Sequence, residues 1–136
     1  LLAASSVFEN ACNDMLDLVD FHLTDYYVGI EYIGFIFSTA LAWAGNRGNL
    51  LIRKAGKLPP VDLVTIEYGL EYGRDTIQMK KGSGKVILVD DVYATGGTMT
   101  AAKSLCELAG YEVIDTLCLL DIGIVKKHNT KCLIYY

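Results

Sequence analysis

Two adjacent carboxylates, Asp90 and Asp91, close the apolar run Val86–Val89 in the segment KVILVDDVYATGGTMTAA, Lys85 to Ala102. The loop ATGGT (Ala94, Thr95, Gly96, Gly97 and Thr98) follows almost at once, with two glycines and two hydroxyls. Such a loop offers successive backbone N–H groups and lets a ligand come close. It leads into a helical pattern, and the partial positive charge of a helix N-terminus suits a phosphate. Two carboxylates beside a phosphate repel it. The combination makes physical sense when the ligand also brings hydroxyls that donate to the acids, or a divalent cation. A phosphorylated sugar does both. The plain alternative is a solvated turn with a helix cap, and the apolar strand before and helical pattern after argue against it.

Three cations, Arg53, Lys54 and Lys57, sit at a strand end and in the adjoining loop of RKAGKLP. A ligand with a diphosphate group needs such charge; the ordinary alternative is a solvated basic loop. Glu71 lies in GLEYG, between two strand patterns, where a carboxylate on a loop can close over a substrate and exchange a proton with it. The ordinary alternative for an isolated loop glutamate is a solvated side chain. Tyr72 stands beside it, and Val92 and Tyr93 follow the acid pair. The four cysteines, Cys12, Cys106, Cys118 and Cys132, include no CxxC pair and no cysteine–histidine spacing of a zinc site, so no protein-held metal is expected.

These groups need a frame. Ser6 and Glu9 form an S-x-x-E capping box, and the apolar spacing after it predicts an amphipathic helix over 7–23. Tyr26–Ile30 reads as a buried strand, Gly34–Ala44 as a helix apolar nearly all round, and Asn49–Arg53 as a second buried strand. Residues 63–68 and 75–79 alternate in the strand manner, an antiparallel excursion around GLEYGR. A parallel strand over 86–90 and a helix ended by Gly110 follow, then strands over 112–122 and 131–136. Alternating strands and helices predict an α/β fold, an open, mostly parallel sheet flanked by helices, in one domain spanning 1–136. In such a sheet ligands sit beyond the carboxyl ends of the strands, which is where Asp90 and Asp91 fall.

Composition narrows the setting. The chain has 136 residues, 52% of them hydrophobic and 21% charged, which excludes a disordered segment. A net charge of −4 without a basic cluster gives no reason to expect nucleic acid or an anionic membrane as partner. The longest apolar run, Phe35–Ala44, is about half of a membrane span. The expectation is a soluble, cytoplasmic protein with reduced, buried thiols.

With these residues in view, VILVDDVYATGGT resembles the phosphoribosyl-diphosphate (PRPP) motif of type I phosphoribosyltransferases. RKAGKLP (Arg53–Pro59), YGLEYG (Tyr68–Gly73) and GIEYIGFIF (Gly29–Phe37) resemble, in order, blocks of the adenine phosphoribosyltransferase family. The resemblance implies the type I phosphoribosyltransferase fold and the conversion of adenine and PRPP to AMP and diphosphate, with Mg2+ carried mainly by PRPP. It assigns Asp90 and Asp91 to the ribose hydroxyls, Ala94–Thr98 to the 5-phosphate, and Arg53, Lys54 and Lys57 to the diphosphate. Glu71 is implied as the acid/base at the purine N7, and Val92 and Tyr72 as contacts of the base. A homodimer with the Arg53–Pro59 loop at its interface is implied as well. Two other readings stay open: a non-catalytic protein that senses PRPP or nucleotide, and a transferase for another purine base.

The chain departs from that pattern at three places. Ile33 stands where the family carries a diphosphate-binding arginine, and Arg47 is a candidate substitute. The family's N-terminal hood, with its Phe-Pro and Phe-Arg-Asp elements, is not in these residues, and an upstream segment is an expectation. The connection KKGSGK, Lys80 to Lys85, is several residues short.

Overall fold

The computed structural model of the chain describes residues 2–70 and 73–136. Seven strands form one sheet: β1 (Tyr26–Ile30), β2 (Gly48–Lys54), β3 (Leu63–Leu70), β4 (Gly73–Lys80), β5 (Gly84–Tyr93), β6 (Tyr111–Asp121) and β7 (Lys131–Tyr135). Their order is β3-β4-β2-β1-β5-β6-β7. The run from β2 to β7 is parallel; β4 pairs antiparallel with β2 and β3. The helices are α1 (Ser5–Asp17), α2 (Ile33–Gly45) and α3 (Gly97–Ala109).

The apolar run of β5 is continuous because both sheet faces are covered. Side chains alternate along a strand, so Val86 and Leu88 point to one face and Ile87 and Val89 to the other. The first pair joins a core with Val28, Met99, Ala102 and Leu105 under α3. The second joins Met15, Tyr27, Phe37 and Leu41 under α1 and α2. All four β5 side chains are fully buried. The four cysteines are free and buried, as expected of thiols in apolar patterns.

This topology fixes where a ligand can bind. The β1–α2–β2 unit runs outward to one side of β1, while β5–α3–β6 runs to the other. The chain therefore reverses its winding between β1 and β5, and the crevice of an open parallel sheet lies beyond the carboxyl ends of such a pair. β1 ends at Ile30, with Glu31 directly after it; β5 carries Asp90 and Asp91.

Four local expectations are corrected. α1 spans Ser5–Asp17, with Ala4 as N-cap and no side-chain cap bond, so the Ser6–Glu9 capping box does not form: Ser6 already lies in the first turn. The helix stops short of 23 because Asp20 Oδ1 accepts from the His22 backbone N–H at 3.1 Å, a turn that competes with helix. β2 is buried only at Ile52, since its outward face is exposed. β5 continues to Tyr93, so the acid pair precedes the strand's end instead of forming its tip.

Candidate active site

Asp90, Asp91 and Thr98 line one cavity of about 280 Å³ together with Glu31, Lys54, Tyr68 and Asp75. Asp90 and Thr98 also line a smaller adjoining space of about 60 Å³ with Val92, Ala94, Thr95 and Gly96. Gly97 lies beside it, in an open cleft of about 610 Å³ that Tyr68 of β3 shares. The predicted acid pair and the predicted phosphate loop therefore share one crevice at the β1/β5 switch point.

The loop is built for close approach. Gly96 is left-handed at φ 87° and caps α3, a conformation that costs a side-chain-bearing residue but not glycine. The Thr95 hydroxyl accepts from the Gly97 N–H at 3.4 Å, and Thr100 N–H closes the first helical bond onto Gly96 O at 2.9 Å. The first-turn N–H groups of α3 have no partner within the helix, so they point to the space before it. Gly34 performs the same service across the crevice. A Cβ there would come 2.8 Å from Val89 O and 3.2 Å from Asp90 Oδ1, so glycine lets α2 start against the acid pair.

Burial, followed by the hydrogen bond and like charge of Asp91, pushes the Asp90 carboxyl up to about 8. Its Oδ1 accepts the Asp91 backbone N–H at 2.9 Å. The pair therefore holds a proton at neutral pH, which lowers the negative charge that faces the cavity.

The cations are arrayed on two carboxylates that sequence reasoning missed. Glu31 Oε1 accepts from Arg53 Nε at 3.0 Å and from the Lys54 backbone N–H at 3.2 Å, and Lys57 Nζ lies 3.9 Å from Oε2. Burial raises the Glu31 carboxyl, but these donors and charges outweigh it and hold the group below its ordinary range. Lys54 Nζ donates to Asp75 Oδ2 at 2.5 Å, a bond that pushes the lysine up. Lys54 faces the cavity; Arg53 and Lys57 gather on Glu31 at its edge. A carboxylate following a buried strand, as in GIEYIG, was the available signal for Glu31.

Two departures find their places. Ile33 packs against the core under α1 and α2 and does not line the cavity, which accounts for an apolar residue there. Arg47 does not substitute for the family arginine: its guanidinium donates to the carbonyls of Phe21, Gly45 and Asn46, at 3.2, 3.3 and 2.9 Å. Glu71 and Tyr72, between Leu70 and Gly73 of the β3–β4 hairpin, lie outside the described residues.

The fold also joins Asp121, His128 and Cys132, whose ligand atoms lie within 4.8 Å of one another. Each is already engaged. His128 Nδ1 accepts the Thr130 N–H at 3.2 Å, which leaves the proton on Nε2, 2.7 Å from Asp121 Oδ2. Asp121 Oδ1 accepts the Gly123 N–H at 2.8 Å, and the Cys132 thiol, pushed up to about 11 by burial, lies 3.8 Å from Thr130 O. The cluster is a closed hydrogen-bonded knot, and no separation in sequence announced it.

Residues 25–134 match the phosphoribosyl transferase domain family. An adenine phosphoribosyltransferase of Hydrogenovibrio crunogenus is 54% identical over 99 residues, 72% of this chain and 57% of that protein. One from Bdellovibrio bacteriovorus is 42% identical over 93% of this chain and 76% of its own length. The crystal structure of the Rhodothermus marinus adenine phosphoribosyltransferase superposes with a TM-score of 0.88 at 32% identity, covering 99% of this chain and 82% of that one.

Proposed function

We propose that this chain, which belongs to the adenine phosphoribosyltransferase family, transfers the phosphoribosyl group of PRPP to adenine, giving AMP and diphosphate. The observation that carries the reading is the convergence of acid pair, phosphate loop and Lys54 around connected cavities at the β1/β5 switch point. The ribose 2- and 3-hydroxyls donate to Asp90 and Asp91. The 5-phosphate is held by the backbone of Ala94–Thr98 at the start of α3. Diphosphate draws Lys54, Arg53 and Lys57 away from Asp75 and Glu31, exchanging one set of ion pairs for another. Val92, 39% exposed, offers apolar area to the base. Glu71 exchanges the proton at the purine N7, and Tyr72 packs beside it.

The oxygen donors of the cavity suit a hard divalent cation, and Mg2+ bound to PRPP would supply charge that neutralises the diphosphate. The reaction's transition state carries oxocarbenium character at the ribose. The residues serve it by orienting base and sugar and by stabilising the charge that departs. Self-association as a homodimer and a cytoplasmic setting belong to the same reading; no described helix is long and apolar enough to cross a membrane.

A sensing protein that binds without turnover is the second reading, favoured by Ile33 and by cations already neutralised on Glu31 and Asp75. Radiolabelled adenine, guanine, hypoxanthine and xanthine, each with PRPP and Mg2+, separate the cases. Adenine alone should yield its nucleotide. Binding of PRPP with no product from any base would establish the sensor, and product from another base would move the specificity.

A further inference from the structure

We propose that His128, gripped by Asp121, is a positioning residue whose ring braces Tyr93 and thereby fixes the Gly96 turn of the phosphate loop. The inference rests on the reading of Ala94–Thr98 as the phosphate anchor. Three observations carry it. First, the His128 and Tyr93 rings stack with centroids 3.9 Å apart and planes 24° from parallel, and Tyr93 is 9% exposed. Second, the loop backbone rests on Tyr93: a Cβ on Gly96 would collide with the Tyr93 hydroxyl. Third, His128 has no freedom to turn. Thr130 N–H and Asp121 Oδ2 hold both ring nitrogens, and Asp121 is itself held by the Gly123 N–H.

The backbone adds a second clasp. Tyr93 pairs in register with Asp121, and the Ile122 N–H donates to Tyr93 O at 3.2 Å. The segment from Ile122 to Asn129, otherwise a connection between β6 and β7, thus presents one aromatic face to the residue that opens the phosphate loop. Gly96 must be both left-handed and stationary for the α3 N–H groups to converge on one anion. Glycine supplies the first property and works against the second, since it is the least restrained residue. A stacked ring pair beneath it supplies the restraint.

The test uses His128→Gln, whose amide still donates to Asp121 but has no ring face, alone and with Tyr93→Leu. Amide hydrogen exchange of unliganded protein is read at Gly96–Thr98, with the α1 amides as a control for global stability. His128→Gln should speed exchange in the loop severalfold and leave α1 unchanged. Added to Tyr93→Leu it should change the loop little further, because the effect passes through that ring. AMP affinity should fall about 2- to 10-fold, the scale of one aromatic pair. The KM for PRPP should rise with kcat nearly constant, since the phosphate is held equally in ground and transition states. Unchanged loop exchange in His128→Gln, or effects of the two substitutions that simply add, would overturn the proposal. Wild-type protein that binds no AMP would instead overturn the functional reading, and the exchange cycle would still decide whether His128 steadies the loop.

Discussion

Asp90 shows how one residue's burial sets a pH dependence. Its folded-state carboxyl, raised to about 8, binds a proton that the unfolded chain releases at ordinary carboxylate pH. Between about pH 4 and 8 the native state holds more protons, so this contribution to stability is present at low pH and lost as pH rises through that window. Urea unfolding at pH 5 and 8.5 should show the loss in wild type, and Asp90→Asn should flatten it; equal slopes would refute the assignment. Ribose hydroxyls favour the ionised acid, so PRPP binding at pH 7 should also release a proton, visible as a buffer-dependent calorimetric heat. Glu71→Gln keeps shape but removes the titrating group, so turnover should drop by about 10²-fold or more while PRPP affinity persists. An unchanged rate would end its proton role. Ile33→Arg pulls a side chain out of the core under α1 and α2, so the melting temperature should fall. If the arginine reaches the diphosphate it should tighten PRPP and leave AMP alone; equal effects on both ligands would mean repacking of the loop. The acid pair and loop were legible because their chemistry is contiguous. Glu31 and Asp75 were not, because each takes its meaning from cations 21 to 26 residues away.

At the scale of elements, the unit β5–loop–α3 does most of the positioning, and its hinge is Gly96. An alanine there must adopt φ 87° and also displace the Tyr93 hydroxyl. The strain is of order 1–3 kcal/mol, so Gly96→Ala should weaken AMP by about 5- to 150-fold if the loop relaxes to avoid it. Calorimetry on AMP decides, and wild-type affinity would show that the left-handed turn is dispensable. The order strand, Gly-Gly turn, helix was legible in sequence, though not the end of the strand, because an apolar run covered on both faces and a Gly-Gly turn leave few alternatives. α1 was overextended for an equally physical reason. Apolar spacing continues through Val19 and Leu23, yet Asp20 bonds the His22 amide and unwinds the chain before the pattern ends. Strand lengths were underestimated at β3, β4 and β5, where Gly69, Gly73, Arg74 and Asp91, which break the apolar alternation at the ends of the expected runs, continue the strands.

For the molecule as a whole, the proposed homodimer makes a claim about the outer face of α2. Tyr32, Ile36 and Trp43 fall on one side of that helix at i, i+4 and i+11, and are 71%, 40% and 86% exposed. Asn49 Nδ2 donates to Thr39 Oγ1 at 2.9 Å, which ties this face to β2 and so to the strand that delivers Arg53, Lys54 and the loop through Pro59. An interface that covers the α2 face and that loop would place the diphosphate cations beside the partner. Trp43 is the chain's one tryptophan, so its emission reports the face without a label. On raising the concentration from nanomolar to micromolar, wild-type emission should shift blue in step with dimer formation by sedimentation. A buried interface tryptophan is worth about 2 kcal/mol or more, so Trp43→Glu should raise the dimer dissociation constant by about 30-fold. Dimerisation with unchanged emission would move the interface elsewhere, and a wild-type monomer at every concentration would remove it. Should Trp43→Glu lose dimerisation and PRPP affinity together while binding AMP normally, the diphosphate site depends on the assembly, and charge across the interface does part of the work that Ile33 cannot.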